Sequence, residues 1–138
     1  MKIDVGKLIE LAIAARKMAH APYSDFRVGA ALLAEDGEVF TGCNIENAAY
    51  PVTCCAERVA FFKAVSEGRR RFMAIAIVGG PKDMILGDCY PCGVCRQMMT
   101  EFCGDNFVVI VGSDADNYKQ HLLGELLPHN FNSKHLEG

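Results

Sequence analysis

Two short segments, Cys55-Ala56-Glu57-Arg58 and Pro91-Cys92-Gly93-Val94-Cys95-Arg96-Gln97, constrain this chain more than anything else in it. Although far apart in sequence, they offer three thiols and one carboxylate to a common point, and the fold must bring them there. Structural zinc sites are usually closed by four protein ligands, whereas a catalytic zinc keeps one position for water or substrate. Three sulfurs with a neighbouring Glu fit the open kind.

Each segment follows turn chemistry, Tyr50-Pro51 or Tyr90-Pro91, and precedes a helix-forming run, so each reads as a helix start. The unpaired N–H groups there lower thiol pKa values and favour the metal-binding thiolate. On a regular helix Cys55 and Glu57 would point about 200° apart. They share a target only if Cys55 caps the helix and projects along its axis, with Glu57 in the first turn.

The chain has 138 residues, about half of them apolar (51%), enough for one core and too short for two ordinary domains. A single domain spanning 1–138 is the expectation. The formal charge of -3 argues against a phosphate-binding surface, so no nucleic-acid partner is expected. The basic run Arg69-Arg70-Arg71 reads as a solvated turn. No secretory leader and no stretch near the ~20 apolar residues of a membrane span appears, so the expected location is cytoplasmic, without a membrane partner. Seven cysteines, two of them adjacent at Cys54-Cys55, make a poor disulfide framework and an ordinary reduced metalloprotein.

Val5, Leu8, Ala12, Ala15 and Ala19 recur at three and four residues behind Asp4, which predicts a capped amphipathic helix ending near His20 before Pro22. Strands are predicted at Val28–Leu33 and Val39–Ile45, paired as a hairpin across Asp36-Gly37. A helix from Cys55 to about Glu67 stops at Gly68. Met73–Val78, apolar on both faces, is a central strand. A second metal-bearing helix runs from Cys92 to about Cys103 and closes at Gly104. Phe107–Val111 is another buried strand, Tyr118–Leu122 a short one, and Leu123–Leu127 a short helix. Strands alternating with helices call for a mostly parallel or mixed sheet covered on both faces.

Asn44 and Glu46 stand two apart at a predicted strand end, so they share a face and suit sugar hydroxyls, unless they are only turn and solvent residues. Phe26 and Phe131 read, by themselves, as packing residues as readily as ligand contacts. Cys54 could compete with Cys55 for metal, though its side chain should point away; it reads, like Cys43, Cys89 and Cys103, as buried filler, and His20, His121, His129 and His135 read as surface residues. Three thiolates would give a zinc centre a net charge of about -1, which Arg58, Arg96 or the helix N-termini must offset.

Together these motifs resemble the zinc nucleoside and nucleobase deaminases, and the all-cysteine variant resembles the small homotetrameric cytidine deaminases. The resemblance extends through Ala21-Pro22-Tyr23-Ser24, Val28-Gly29-Ala30-Ala31-Leu32, Gly42-Cys43-Asn44-Ile45-Glu46-Asn47-Ala48 and Glu125-Leu126-Leu127-Pro128. It implies a three-layer αβα sandwich around a mixed five-stranded sheet, with one zinc per subunit on Cys55, Cys92 and Cys95. It implies deamination of cytidine and deoxycytidine in pyrimidine salvage, water activated by the metal attacking C4 while Glu57 shuttles protons. It further implies that Arg58 bonds the ligand sulfurs, that Asn44 and Glu46 hold the ribose, that Phe26 packs on the base, and that Ala56 meets the base through its backbone. Phe131 would enter from a neighbouring subunit of a homotetramer. The runner-up is a deaminase of the same fold for another aminopyrimidine, such as blasticidin S. From a different class, a structural zinc or dithiol module would have no use for Glu57.

Overall fold

The computed structural model describes residues 2–137. Helix α1 (Val5–Arg16) starts as its sequence predicts, with the Asp4 carboxylate accepting from Lys7 N at 3.2 Å. It ends four residues earlier than the periodicity suggests. Met18 N and Ala19 N donate to carbonyls three residues back, which tightens the chain out of the helix. His20 is then drawn towards Ile45, donating to Asn44 O at 3.0 Å and accepting from Glu46 N at 2.8 Å.

Strands β1 (Phe26–Ala34) and β2 (Val39–Cys43) form the expected hairpin, turned by Gly37 at φ 94°. Strand β2 stops before Asn44, two residues short of expectation, because the following residues leave β1 to bridge His20 and Cys54. Helix α2 (Ala56–Ser66) stops at Gly68, which adopts φ 97°. Strand β3 (Phe72–Pro81), helix α3 (Gly93–Phe102), strands β4 (Val108–Asp114) and β5 (Asn117–Leu122), and the single turn α4 (Leu123–Leu126) follow. Gly104 is not the stop of α3, since Cys103 already turns extended at φ -133° and ψ 143°. Two short 3-10 turns, Tyr50–Val52 and Ser133–Leu136, lie in stretches with no periodic pattern.

The sheet order is β2-β1-β3-β4-β5, with β3 and β4 parallel and the other neighbours antiparallel. Successive strand residues face opposite sides, and in the central strands β1, β3 and β4 both sides are dry. On one, α1 covers Ala31, Leu33, Ala74, Ala76, Val78 and Ile110 with Leu8, Ile9 and Ala12. On the other, α2 and α3 cover Leu32, Ile75, Ile77, Val109 and Val111 with Phe61 and Met99. The result is the αβα sandwich. Phe61, fully buried, meets the Phe72 ring edge-on at 5.0 Å between centroids, a favourable geometry for aromatic pairs.

One glycine fixes how closely the site-bearing helix sits on the sheet. A Cβ on Gly42 of β2 would lie 2.5 Å from Ala56 O and 2.6 Å from Ala60 N, so the start of α2 rests directly on strand backbone. The basic run after α2 is less solvated than its composition suggests, because Arg69 pairs with Asp36 at 2.9 Å and with Glu38, pinning the hairpin turn. Among the described residues no helix is long and apolar enough to cross a membrane.

Candidate metal centre and its pocket

Helices α2 and α3 converge at their N-termini on the same side of the sheet. Cys55 caps α2 and Cys92 caps α3, both with extended backbone (ψ 153° and 168°), and Cys95 lies fully buried in the first turn of α3. The cap position is what the Cys-x-Glu spacing demands, since Cys55 leaves the helical path and Glu57 stays on it. The three sulfurs lie within 4.8 Å of one another, and Cys55 and Cys92 are 3.9 Å apart. Tetrahedral zinc with Zn–S near 2.3 Å requires sulfurs about 3.8 Å apart, so this donor set fits that ion.

The electrostatics suit thiolate ligation. Hydrogen bonds from Cys95, Arg58 and Cys92 outweigh burial and hold the Cys55 thiol below the usual thiol range. Cys95 is correspondingly raised, because it shares its proton with the Cys55 thiolate and is desolvated. Arg58 reaches Cys55 Sγ at 3.7 Å and Thr53 O at 3.1 Å, while its Nε is buried without a protein partner. Arg96 does not touch the sulfurs. It donates to Pro91 O at 2.8 Å and Leu126 O at 2.7 Å, so it fastens α3 to the C-terminal segment instead.

Glu57 is 4% exposed, and desolvation pushes its carboxyl up to about 7. An acid poised near neutrality can both take and return a proton. Above it opens a cavity of about 340 Å³, whose wall includes Phe26, Asn44, Glu46, Ala56, Glu57 and the two capping cysteines. Volume alone does not single it out, since a hollow of about 590 Å³ beside Asp116 and Lys119 is larger. That hollow has no thiol in its lining.

Asn44 and Glu46 are buried polar residues at 9% and 6% exposure, which removes the reading of them as solvent-facing. Asn44 accepts from Val28 N at 2.9 Å and donates to Phe26 O at 2.7 Å. Glu46 accepts from the Tyr23 and Ser24 amides at 3.0 and 3.1 Å. Phe131 is not in the pocket of its own chain. It is 58% exposed, stacked on His135 with centroids 5.2 Å apart, and its carbonyl is held by Gln97 at 2.7 Å.

Two readings are extended and one residue is new. Cys89 packs on the core and also lines the cavity, its thiol pushed up to about 12 by burial and therefore neutral. His121 is half-buried, its Nε2 2.9 Å from the Tyr90 hydroxyl, and is not a free surface residue. Arg16, unremarked in the sequence, is 8% exposed and donates to the carbonyls of Arg27, Gly80, Lys82 and Met84. Its spacing from Leu8 and Ala12 on the buried face of α1 is the signal that identifies it. Cys54 stands outside the three-sulfur cluster, paired through its backbone with Ile45.

Residues 3–111 match the family described as the cytidine and deoxycytidylate deaminase zinc-binding region. A cytidine deaminase of Sporosarcina psychrophila is 48% identical over 134 residues, covering 97% of this chain and 96% of that protein. One from Halalkalibacterium halodurans is 48% identical over 132 residues, covering 96% of this chain and 97% of the other. Among solved structures, cytidine deaminase from Burkholderia pseudomallei superposes with a TM-score of 0.85 at 45% identity, over 94% of this chain and all (100%) of that one.

Proposed function

The chain belongs to the family of cytidine and deoxycytidylate deaminases with a zinc-binding region, and from that premise we propose that it hydrolyses cytidine and deoxycytidine to the corresponding uridines, releasing ammonia. The observation that carries this reading is one buried carboxylate, Glu57, beside three sulfurs spaced for a single zinc. Its cofactor is zinc, one ion per subunit, held by Cys55, Cys92 and Cys95. When bound, zinc acidifies water and so supplies the nucleophile for C4 of the pyrimidine.

The remaining chemistry belongs to the chain. Glu57 takes one proton of that water and delivers it to N3, then takes the second from the new hydroxyl at C4 and passes it to the amino group, which leaves as ammonia. Phe26 packs against the base, Ala56 meets the base through its backbone, and Asn44 with Glu46 grips the sugar. Arg58 offsets the negative charge of the sulfur cluster. Glu57→Gln keeps the shape and loses the proton carrier, so ammonia release from cytidine should fall by at least about a thousandfold while zinc content stays at one per subunit. A zinc-loaded Glu57→Gln protein with near-normal rate removes Glu57 from the mechanism.

We further propose a single catalytic domain that works as a cytoplasmic homotetramer with shared sites. Support comes from apolar residues left in solvent at and near the pocket mouth: Tyr50, a pocket-wall residue, is 61% exposed, and Val52 is 65% exposed. Phe131, exposed on its own chain, is the residue we assign to the pocket of a neighbour. All seven cysteines are unpaired, which suits a reducing compartment.

A further inference from the structure

The loop between α1 and β1, Ala21–Asp25, does more than connect them. Two of its amides occupy Oε1 of Glu46, and the Ser24 hydroxyl bonds Oε2. The direction of that last bond is fixed. Ser24 Oγ already accepts from Phe26 N at 3.0 Å, so its proton goes to the carboxylate. These donors hold Glu46 ionised, below the usual carboxylate range, the Ser24 hydroxyl contributing most.

A carboxylate has about four acceptor positions. The loop fills three, which leaves one, on Oε2. Asn44 is similarly committed: its bonds to Val28 N and Phe26 O leave one Nδ2 hydrogen and one carbonyl lone pair. Ser24 joins the two halves of this arrangement, since it touches both the carboxylate and the backbone that carries the Phe26 ring.

We propose that Ser24 is a positioning residue for substrate selection, holding Glu46 so that a single acceptor position remains for one sugar hydroxyl. The inference rests on the reading of Glu46 as the sugar acceptor. Losing the hydroxyl frees a second position on Oε2 for water and lets the carboxylate turn, which weakens binding of a hydroxyl-bearing substrate and leaves the proton chemistry at Glu57 alone.

The test is steady-state kinetics of Ser24→Ala, Ser24→Thr and Glu46→Gln on cytidine, with 2′,3′-dideoxycytidine followed as substrate or as competitor. Ser24→Ala should raise the cytidine KM roughly tenfold, as loss of one charge-assisted hydrogen bond does, with kcat within about twofold. Its effect on the dideoxy compound should stay under about twofold, and Ser24→Thr, which keeps the hydroxyl, should remain near wild type. Ser24→Cys, close in size but a poor donor, gives the same reading if the alanine variant does not accumulate. Equal losses on both compounds, or none on cytidine, overturn the role of Ser24. If Glu46→Gln itself fails to distinguish the two compounds, the sugar-acceptor reading falls, a result recognisable apart from a failure confined to Ser24.

Discussion

Glu57 is costly to bury, and its cost has a sign that can be measured. Its carboxyl titrates at about 7 in the folded protein against an ordinary 4.5. Between those values the folded state binds more protons than the unfolded one, so this group lowers stability as pH rises through that window. After chelation of the metal, wild type should lose up to about 3 kcal/mol more than Glu57→Gln as pH rises through that range. Cys55, lowered by its hydrogen bonds, acts in the opposite direction, but it is present in both proteins and largely cancels in the difference. Urea unfolding of the two chelated proteins across that range checks this, and parallel stability profiles contradict it. At the same scale, the roles of Ser24 and His121 escape a reading of the sequence. They are recognisable only by their partners, an acceptor carboxylate and a phenol, brought near by tertiary folding. The ligands are legible because metal chemistry admits few residue types at few spacings.

At the scale of elements, the apolar runs identify β1, β3 and β4, since a sheet covered on both sides needs continuous hydrophobic segments there, while the edge strand β5 is polar and largely exposed. Their ends are harder to read, because they depend on where side chains find long-range partners. The exit from β2 follows from the bridges made by Ile45, and the end of α1 from the pull on His20. Arg16 shows how much one side chain can organise. It binds the start of β1 and the loop after β3, and those segments lead respectively to Phe26 and to Cys89 and Cys92. Arg16→Met strands buried carbonyls and should cost roughly 2–4 kcal/mol in thermal unfolding, with Arg16→Lys recovering part of it. Faster hydrogen exchange is expected at the Lys82 and Leu86 amides, which now donate to Asp25 O and Gly79 O. Unchanged protection at both would show that the loop holds without Arg16.

For the whole molecule, the proposal of shared sites makes a prediction that no single subunit can satisfy. Phe131→Ala should lower kcat/KM about tenfold, a plausible loss for one buried aromatic contact. Mixed assemblies of Phe131→Ala and Glu57→Gln subunits should regain activity, because some pockets then combine an intact Glu57 with an intact Phe131. Absence of recovery, with mixed assembly verified by mass spectrometry, argues that each pocket is completed within its own chain. The seat of α2 on Gly42 carries a different consequence, for genetics. The atoms a side chain there would strike are Ala56 O and Ala60 N, which belong to the main chain. No second-site exchange of a facing side chain can make room for it. A suppressor of a Gly42 lesion must shift the helix bodily, together with Cys55 and Glu57, so selection for folding alone should return variants that accumulate in the cell and turn over nothing.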